Sequence, residues 1–178
     1  KSVIHHSFTQ HLRRNKPMRH SRYHRRSGDR SFTNIVSGVS IHERSKNIDN
    51  RKSLGHWEGD LLCGSKNSFI VTLVERHSRY VMLAKVQNRE TQTVVDALIK
   101  QARKLPNELY KSLTWDNGGE LADHQRFTIE TDIAVYFCDP HSPWQRGSNE
   151  NTNRLLRQYF PKGTDLAPHS QAQLNRIA

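Results

Sequence analysis

Residues 68–76, SFIVTLVER, hold apolar side chains at five of the six positions from 69 to 74. A run so short and so apolar offers no polar face to water, and it reads as a strand buried on both sides. Its neighbours in the chain supply partners. Residues 57–63, WEGDLLC, fit a strand in which Trp57, Leu61 and Cys63 face one way and Glu58, Asp60 and Leu62 the other. Gly64-Ser65-Lys66-Asn67 turns that strand into the apolar run. His77-Ser78 turns it again into a third strand over residues 79–86. The three form an antiparallel meander.

Beyond the meander the apolar period changes from two to that of a helix. Over residues 91–105, Val94, Val95, Leu98, Ile99, Ala102 and Leu105 recur on one helical face, and Pro106 ends the element. Residues 112–116 form a fourth strand, 124–131 a short helix and 133–138 (IAVYFC) a fifth strand. Pro143 breaks any regular element, and a last helix opens at about Ser148, with Ser148 or Asn149 as N-cap and Leu155, Leu156, Tyr159 and Phe160 as its apolar stripe. The order βββαβαβα predicts an α/β fold, a five-stranded mixed sheet flanked by helices.

Charge divides the chain. It has 178 residues and a net charge of +11. Residues 1–30 carry nine Lys or Arg against the single Asp29, and too few apolar side chains to bury a core. Residues 1–50 therefore read as a basic, largely irregular extension and 51–178 as the folded core. Excess positive charge concerns partners rather than fold, and a polyanion suits it. Arg13, Arg14, Arg19, Arg25 and Arg26 are candidate phosphate contacts. Cys63 and Cys138 show neither metal-ligand spacing nor a disulfide framework, so a reducing cytosol is expected. No apolar run reaches membrane-spanning length. The chain opens on Lys1 and stops at Ala178 within a helical pattern, as a fragment would.

Three carboxylates stand out. Asp60 lies in the first core strand. Asp116 ends the fourth, in TWDNGGE, where Asn117-Gly118-Gly119 turns the chain away. If strands one and four are neighbours in the mixed sheet, both aspartates reach one edge. Glu150, in the first turn of the last helix, arrives over that edge with Arg154 and Arg157 beside it. Converging carboxylates repel one another, and hard divalent cations such as Mg²⁺, which take oxygen ligands, relieve that repulsion. Glu58, on the same face as Asp60, and Glu120, four residues beyond Asp116, compete for these roles. His56 and Glu58 make an H-x-E pair, but no C-x-x-C succeeds it, which argues against a zinc deaminase.

GHWEGD (55–60), TWDNGGE (114–120) and DPHSPWQRGSNENTNRLLRQYFPKGTDL (139–166) together resemble the catalytic core of bacterial insertion-sequence DDE transposases, in particular the insertion-sequence family numbered thirty. That core belongs to the retroviral-integrase superfamily and has an RNase H-like fold. The resemblance spans residues 38–178. It implies Asp60, Asp116 and Glu150 as a catalytic triad that binds two Mg²⁺ ions (or Mn²⁺), roughly 4 Å apart, for in-line phosphoryl transfer. It implies duplex DNA, both element ends and target, as substrate, a homodimer or larger assembly on that DNA, no membrane, and a bacterial cytoplasmic, nucleoid-associated location. Trp144, Arg146, Asn149, Asn153, Arg154 and Arg157 would line the DNA approach, although Trp144 is equally suited to a core. Position 154 holds Arg where the family suggests Gly, and no helix-turn-helix stands before the core. Two other readings stay open: an RNase H-like nuclease, and a non-catalytic DNA-binding fragment.

Overall fold

The structure, a computed structural model, describes residues 38–178. Its sheet has six strands: β1 (Val39–Ser40), β2 (His56–Cys63), β3 (Phe69–Glu75), β4 (Val81–Val86), β5 (Ser112–Trp115) and β6 (Ala134–Phe137). They lie in the order β1-β6-β5-β2-β3-β4. The helices are α1 (Lys46–Asp49), α2 (Thr91–Ala102), α3 (His124–Thr131), α4 (Gly147–Leu156) and α5 (Gln171–Ile177).

The meander β2-β3-β4 is antiparallel, as the turns required. Beyond β2 the sheet becomes parallel: β5 pairs with β2, β6 with β5 and β1 with β6. The expected five strands are six, because the two residues Val39–Ser40 pair with Tyr136–Phe137 and extend the edge. A strand so short has no period to read. Ile48 and Arg44 are also buried, and Arg44 donates through Nη1 to Thr114 Oγ1 on β5 at 2.9 Å. Packing thus begins before residue 51, where composition alone places the boundary.

Strand β3 is buried along its whole length, which explains its unbroken apolar run. On one face Phe69, Val71 and Leu73 pack beneath α2, with Val94, Leu98 and Phe127. On the other, Ile70 joins Leu62, Leu156, Phe160, Leu166 and Leu174. The sheet therefore separates two apolar clusters, α2 and α3 on one side and α4 and α5 on the other. Among the described residues no helix is long and apolar enough to cross a membrane.

Candidate active site

The parallel pairing of β2 with β5 sets Glu58 opposite Thr114. Asp60 and Asp116 each lie two residues further on, at the C-terminal end of the paired region, so that register carries both to the same place. A contact at Gly59 enforces the close approach. A Cβ on Gly59 would fall on the ring of Trp115, which is completely buried. Only a residue without a side chain lets β5 come that near to β2.

Helix α4 runs over this edge in step with β2. Alternate strand positions Glu58, Asp60 and Leu62 meet helix positions Asn149, Asn153 and Leu156. Two strand residues rise about 6.6 Å, and the helical steps of four and then three residues rise about 6 and 4.5 Å, so the two ladders match best over their first step. At the first rung the Asn149 N–H donates to Glu58 Oε2 at 2.9 Å, and Asn149 Nδ2 donates to the Glu58 and Thr72 carbonyls at 2.9 and 3.1 Å. At the second, Asn153 Nδ2 donates to Asp60 Oδ2 at 3.0 Å, and the Leu61 N–H donates to Asp60 Oδ1 at 2.8 Å. The third is the apolar contact of Leu62 with Leu156.

The loop entering α4 is clamped on itself. Gln145 accepts from the Asp139 N–H at 2.8 Å and donates to Asp139 Oδ2 at 2.7 Å. The 3-10 turn Pro143–Arg146 then leads directly into α4, and Arg79 donates to Ser148 Oγ. Neither Ser148 nor Asn149 caps the helix with its side chain; the carboxylate of Glu58 satisfies the Asn149 N–H instead. Glu58 is fully buried and paired with Arg76 Nε at 3.2 Å. It therefore serves α4 and not the open edge. That separates it from Asp60, which is partly exposed.

Arg146 stands where the two aspartates meet. Its Nη1 is 3.4 Å from Asp60 Oδ1 and its Nη2 is 3.4 Å from Asp116 Oδ2. Glu120 lies near both: burial, and then the charges of Asp116 and Asp60, push its carboxyl above the ordinary value. Glu150 is exposed, four positions after Arg146 on α4. At 3.6 residues per turn it projects about 60° from Asn153, the α4 residue that holds Asp60, at the margin of the face that covers that carboxylate. Among the described residues, no three His, Cys, Asp or Glu side chains stand close enough together to hold a metal ion. The structure thus brings Asp60 and Asp116 together and leaves Glu150 at the rim.

The residues expected to line a DNA approach divide. Trp144 is 70% exposed, and Arg154 is exposed. Arg157 turns back to close the helix end, donating to the carbonyls of Cys63 at 3.2 Å and Phe160 at 3.4 Å. Asn149 is fully buried, Arg146 is 7% exposed and Asn153 holds Asp60. These three face the sheet and not the solvent, because α4 needs polar side chains to match the polar edge of β2. Arg13, Arg14, Arg19, Arg25 and Arg26 lie outside the described residues.

Residues 50–143 match the family described as Integrase core domain. Over all 178 residues the chain is 56% identical to the transposase InsI for insertion sequence element IS30A of Escherichia coli (strain K12), and covers 46% of it. It is 48% identical over 145 residues to the transposase for insertion sequence element IS1086 of Cupriavidus metallidurans, a match to 81% of this chain and 43% of that protein. The chain spans less than half the length of these curated relatives. Among solved structures, a chain in the cryo-EM structure of a simian T-cell lymphotropic virus intasome in complex with PP2A regulatory subunit B56 gamma superposes with a TM-score of 0.52 at 22% identity, over 61% of this chain and 41% of that one. That likeness is one of fold: the sheet and its helices have the RNase H-like arrangement of integrase cores.

Proposed function

Since this chain belongs to the integrase core family, among the transposases of the insertion-sequence family numbered thirty, we propose that it is a transposase catalytic core that cuts and joins DNA strands. The observation that carries the reading is the convergence of Asp60 and Asp116 on a single cationic group, each at 3.4 Å. Two carboxylates that share one guanidinium offer an oxygen donor set of the kind that divalent metals take. Asp60, Asp116 and Glu150 are the residues that would hold Mg²⁺ or Mn²⁺. When bound, the ions supply charge stabilisation for both the attacking and the leaving oxygen of an in-line phosphoryl displacement.

The protein's own contribution is position. Strands β2 and β5 fix the two aspartates through the Gly59–Trp115 contact, and Asn153 and the Leu61 N–H orient the Asp60 carboxylate. Helix α4 carries Glu150 exposed to solvent, from where its carboxylate would join Asp60 and Asp116 in holding the metal. Water and then a DNA 3′-hydroxyl serve as nucleophiles, so no serine or tyrosine is needed. Duplex DNA is the substrate. The basic residues 1–30 engage its phosphates, and exposed Trp144 and Arg154 meet the strand near the site. Assembly as a dimer or larger on the DNA, in the bacterial cytoplasm, completes the reading.

Nicking of supercoiled plasmid tests it without knowledge of a terminal repeat. The chain with Mn²⁺ converts supercoiled plasmid to open circles, and Asp60→Asn abolishes this while melting at an undiminished temperature in chelator. Nicking retained by Asp60→Asn would overturn the reading.

A further inference from the structure

Among the described residues Arg146 is the cation in ion-pair contact with both aspartates, and its geometry is unusual for a structural bridge. A guanidinium built to hold a carboxylate pairs with it side by side at about 2.8 Å. Here Nη1 spends its short bond, 2.7 Å, on the Gly59 carbonyl. The two aspartates are each held at 3.4 Å by different nitrogens. Nε is buried with no hydrogen-bond partner. The side chain is therefore well fixed to the backbone of β2 and poorly fixed to either anion. It lies between Asp60 and Asp116, at a distance that serves their charge more than their hydrogen bonding.

We propose that Arg146 is an internal counter-ion that divalent metal displaces, a residue that sets how tightly the core takes metal. The inference rests on the metal reading above and deepens it. Without metal, Arg146 offsets the repulsion between Asp60 and Asp116, so the core folds with both aspartates in place. A metal ion entering between them meets a positive charge within about 4 Å, which opposes it strongly in a partly buried site. The guanidinium must withdraw from the carboxylates for the ion to bind. Because Nη1 also donates to the Gly59 carbonyl, on the strand that carries Asp60, the withdrawal pivots about that bond or breaks it.

The test is Mn²⁺ binding, followed by the electron paramagnetic resonance signal of the free ion, on the whole chain and without DNA. Arg146→Gln removes the charge, its shorter amide ending where Nε stands, and binds Mn²⁺ about tenfold tighter than the wild type or better. Arg146→Lys keeps the charge and stays within about threefold of the wild type. Asp60→Asn, alone or combined with Arg146→Gln, binds weakly. Asp60-dependent binding that Arg146→Gln leaves unchanged or weakens overturns this proposal alone. Absence of Asp60-dependent binding in every protein overturns the metal reading and this proposal with it. A measurement on the wild type covers the case in which Arg146→Gln does not fold. The Arg146 Nε–H resonance, identified by its loss in Arg146→Lys, shifts and exchanges faster with solvent as Mg²⁺ is added. The same resonance unmoved at saturating Mg²⁺ overturns the displacement.

Discussion

The Glu58 carboxylate accepts the backbone N–H of Asn149 at 2.9 Å, across 91 residues of sequence, and so caps the helix that carries Glu150. The same carboxylate pairs with Arg76 at 3.2 Å in complete burial. Removing one partner of such a pair leaves the other charged and unsolvated, which costs about 3–5 kcal/mol. Glu58→Ala is expected to lose that much in urea unfolding. Glu58→Gln, which can still accept the Asn149 N–H, loses less. Equal stability of Glu58→Ala and the wild type would contradict the capping role.

Gly59 is predicted to tolerate no side chain. Alanine there meets the Trp115 ring, and overpacking of this kind costs about 1–3 kcal/mol. Because Asp60 and Asp116 are the next residues after Gly59 and Trp115, the displacement also separates the aspartates. Gly59→Ala should therefore lose plasmid nicking even at temperatures where circular dichroism shows it folded. Full activity in a folded Gly59→Ala protein would show that the close approach does not position the site.

Much of this architecture is legible in the sequence. The unbroken apolar run of β3, the alternation of β2 and the helical period of α2 come from burial on two faces or one. The adjacency of β2 and β5 is suggested by element order, and puts Asp60 near Asp116. The N-terminal half of α4 is less legible. QRGSNENTN looks like a solvated surface, and yet Arg146, Ser148 and Asn149 are buried there. Their partners, Gly59, Arg79, Glu58 and Thr72, are all remote in sequence, so no local period announces them. The buried stripe is also narrower than the apolar residues suggest. Helix α4 ends at Leu156, so Leu156 and Phe160 are buried while Leu155 and Tyr159 stay exposed. Strand β1 is too short to carry a signal.

Glu75 gives the fold a pH dependence. It is 4% exposed, and burial alone would raise its pKa. Donors from Ser78, Gly55 and His77, at 2.6 to 3.2 Å, outweigh that and hold it below the ordinary 4.5. A carboxylate depressed in the folded state stabilises above its unfolded pKa, and that contribution is lost as pH falls through the folded value. Glu75→Gln should thus lose about 1–3 kcal/mol at pH 7. It should also show a flatter decline below pH 4.5, the ordinary value that the folded group lies beneath. Parallel acid limbs for the two proteins in thermal melts would contradict this.

Residues 1–30 are expected to dominate the salt dependence of DNA binding. Each phosphate contact contributes about −0.9 to the slope of log affinity against log salt. With nine Lys or Arg in that stretch, its deletion should flatten the slope by several units and leave sequence preference unchanged. Fluorescence anisotropy on two unrelated duplexes measures both. An unaltered slope would place the phosphate contacts on the core instead.

Glu150, and not Glu120, is proposed to complete the site of Asp60 and Asp116. Glu120 is half-buried beside the pair, and Glu150 stands exposed on α4. The most direct measurement is Mn²⁺-dependent plasmid nicking by Glu150→Gln and Glu120→Gln, each shown to melt with the wild type. Nicking is expected to fall about a thousandfold in Glu150→Gln, the scale of a missing electrostatic stabiliser, and to stay within about tenfold of the wild type in Glu120→Gln. Loss in Glu120→Gln with retention in Glu150→Gln would contradict this assignment, and would make Glu120 the third carboxylate of the site.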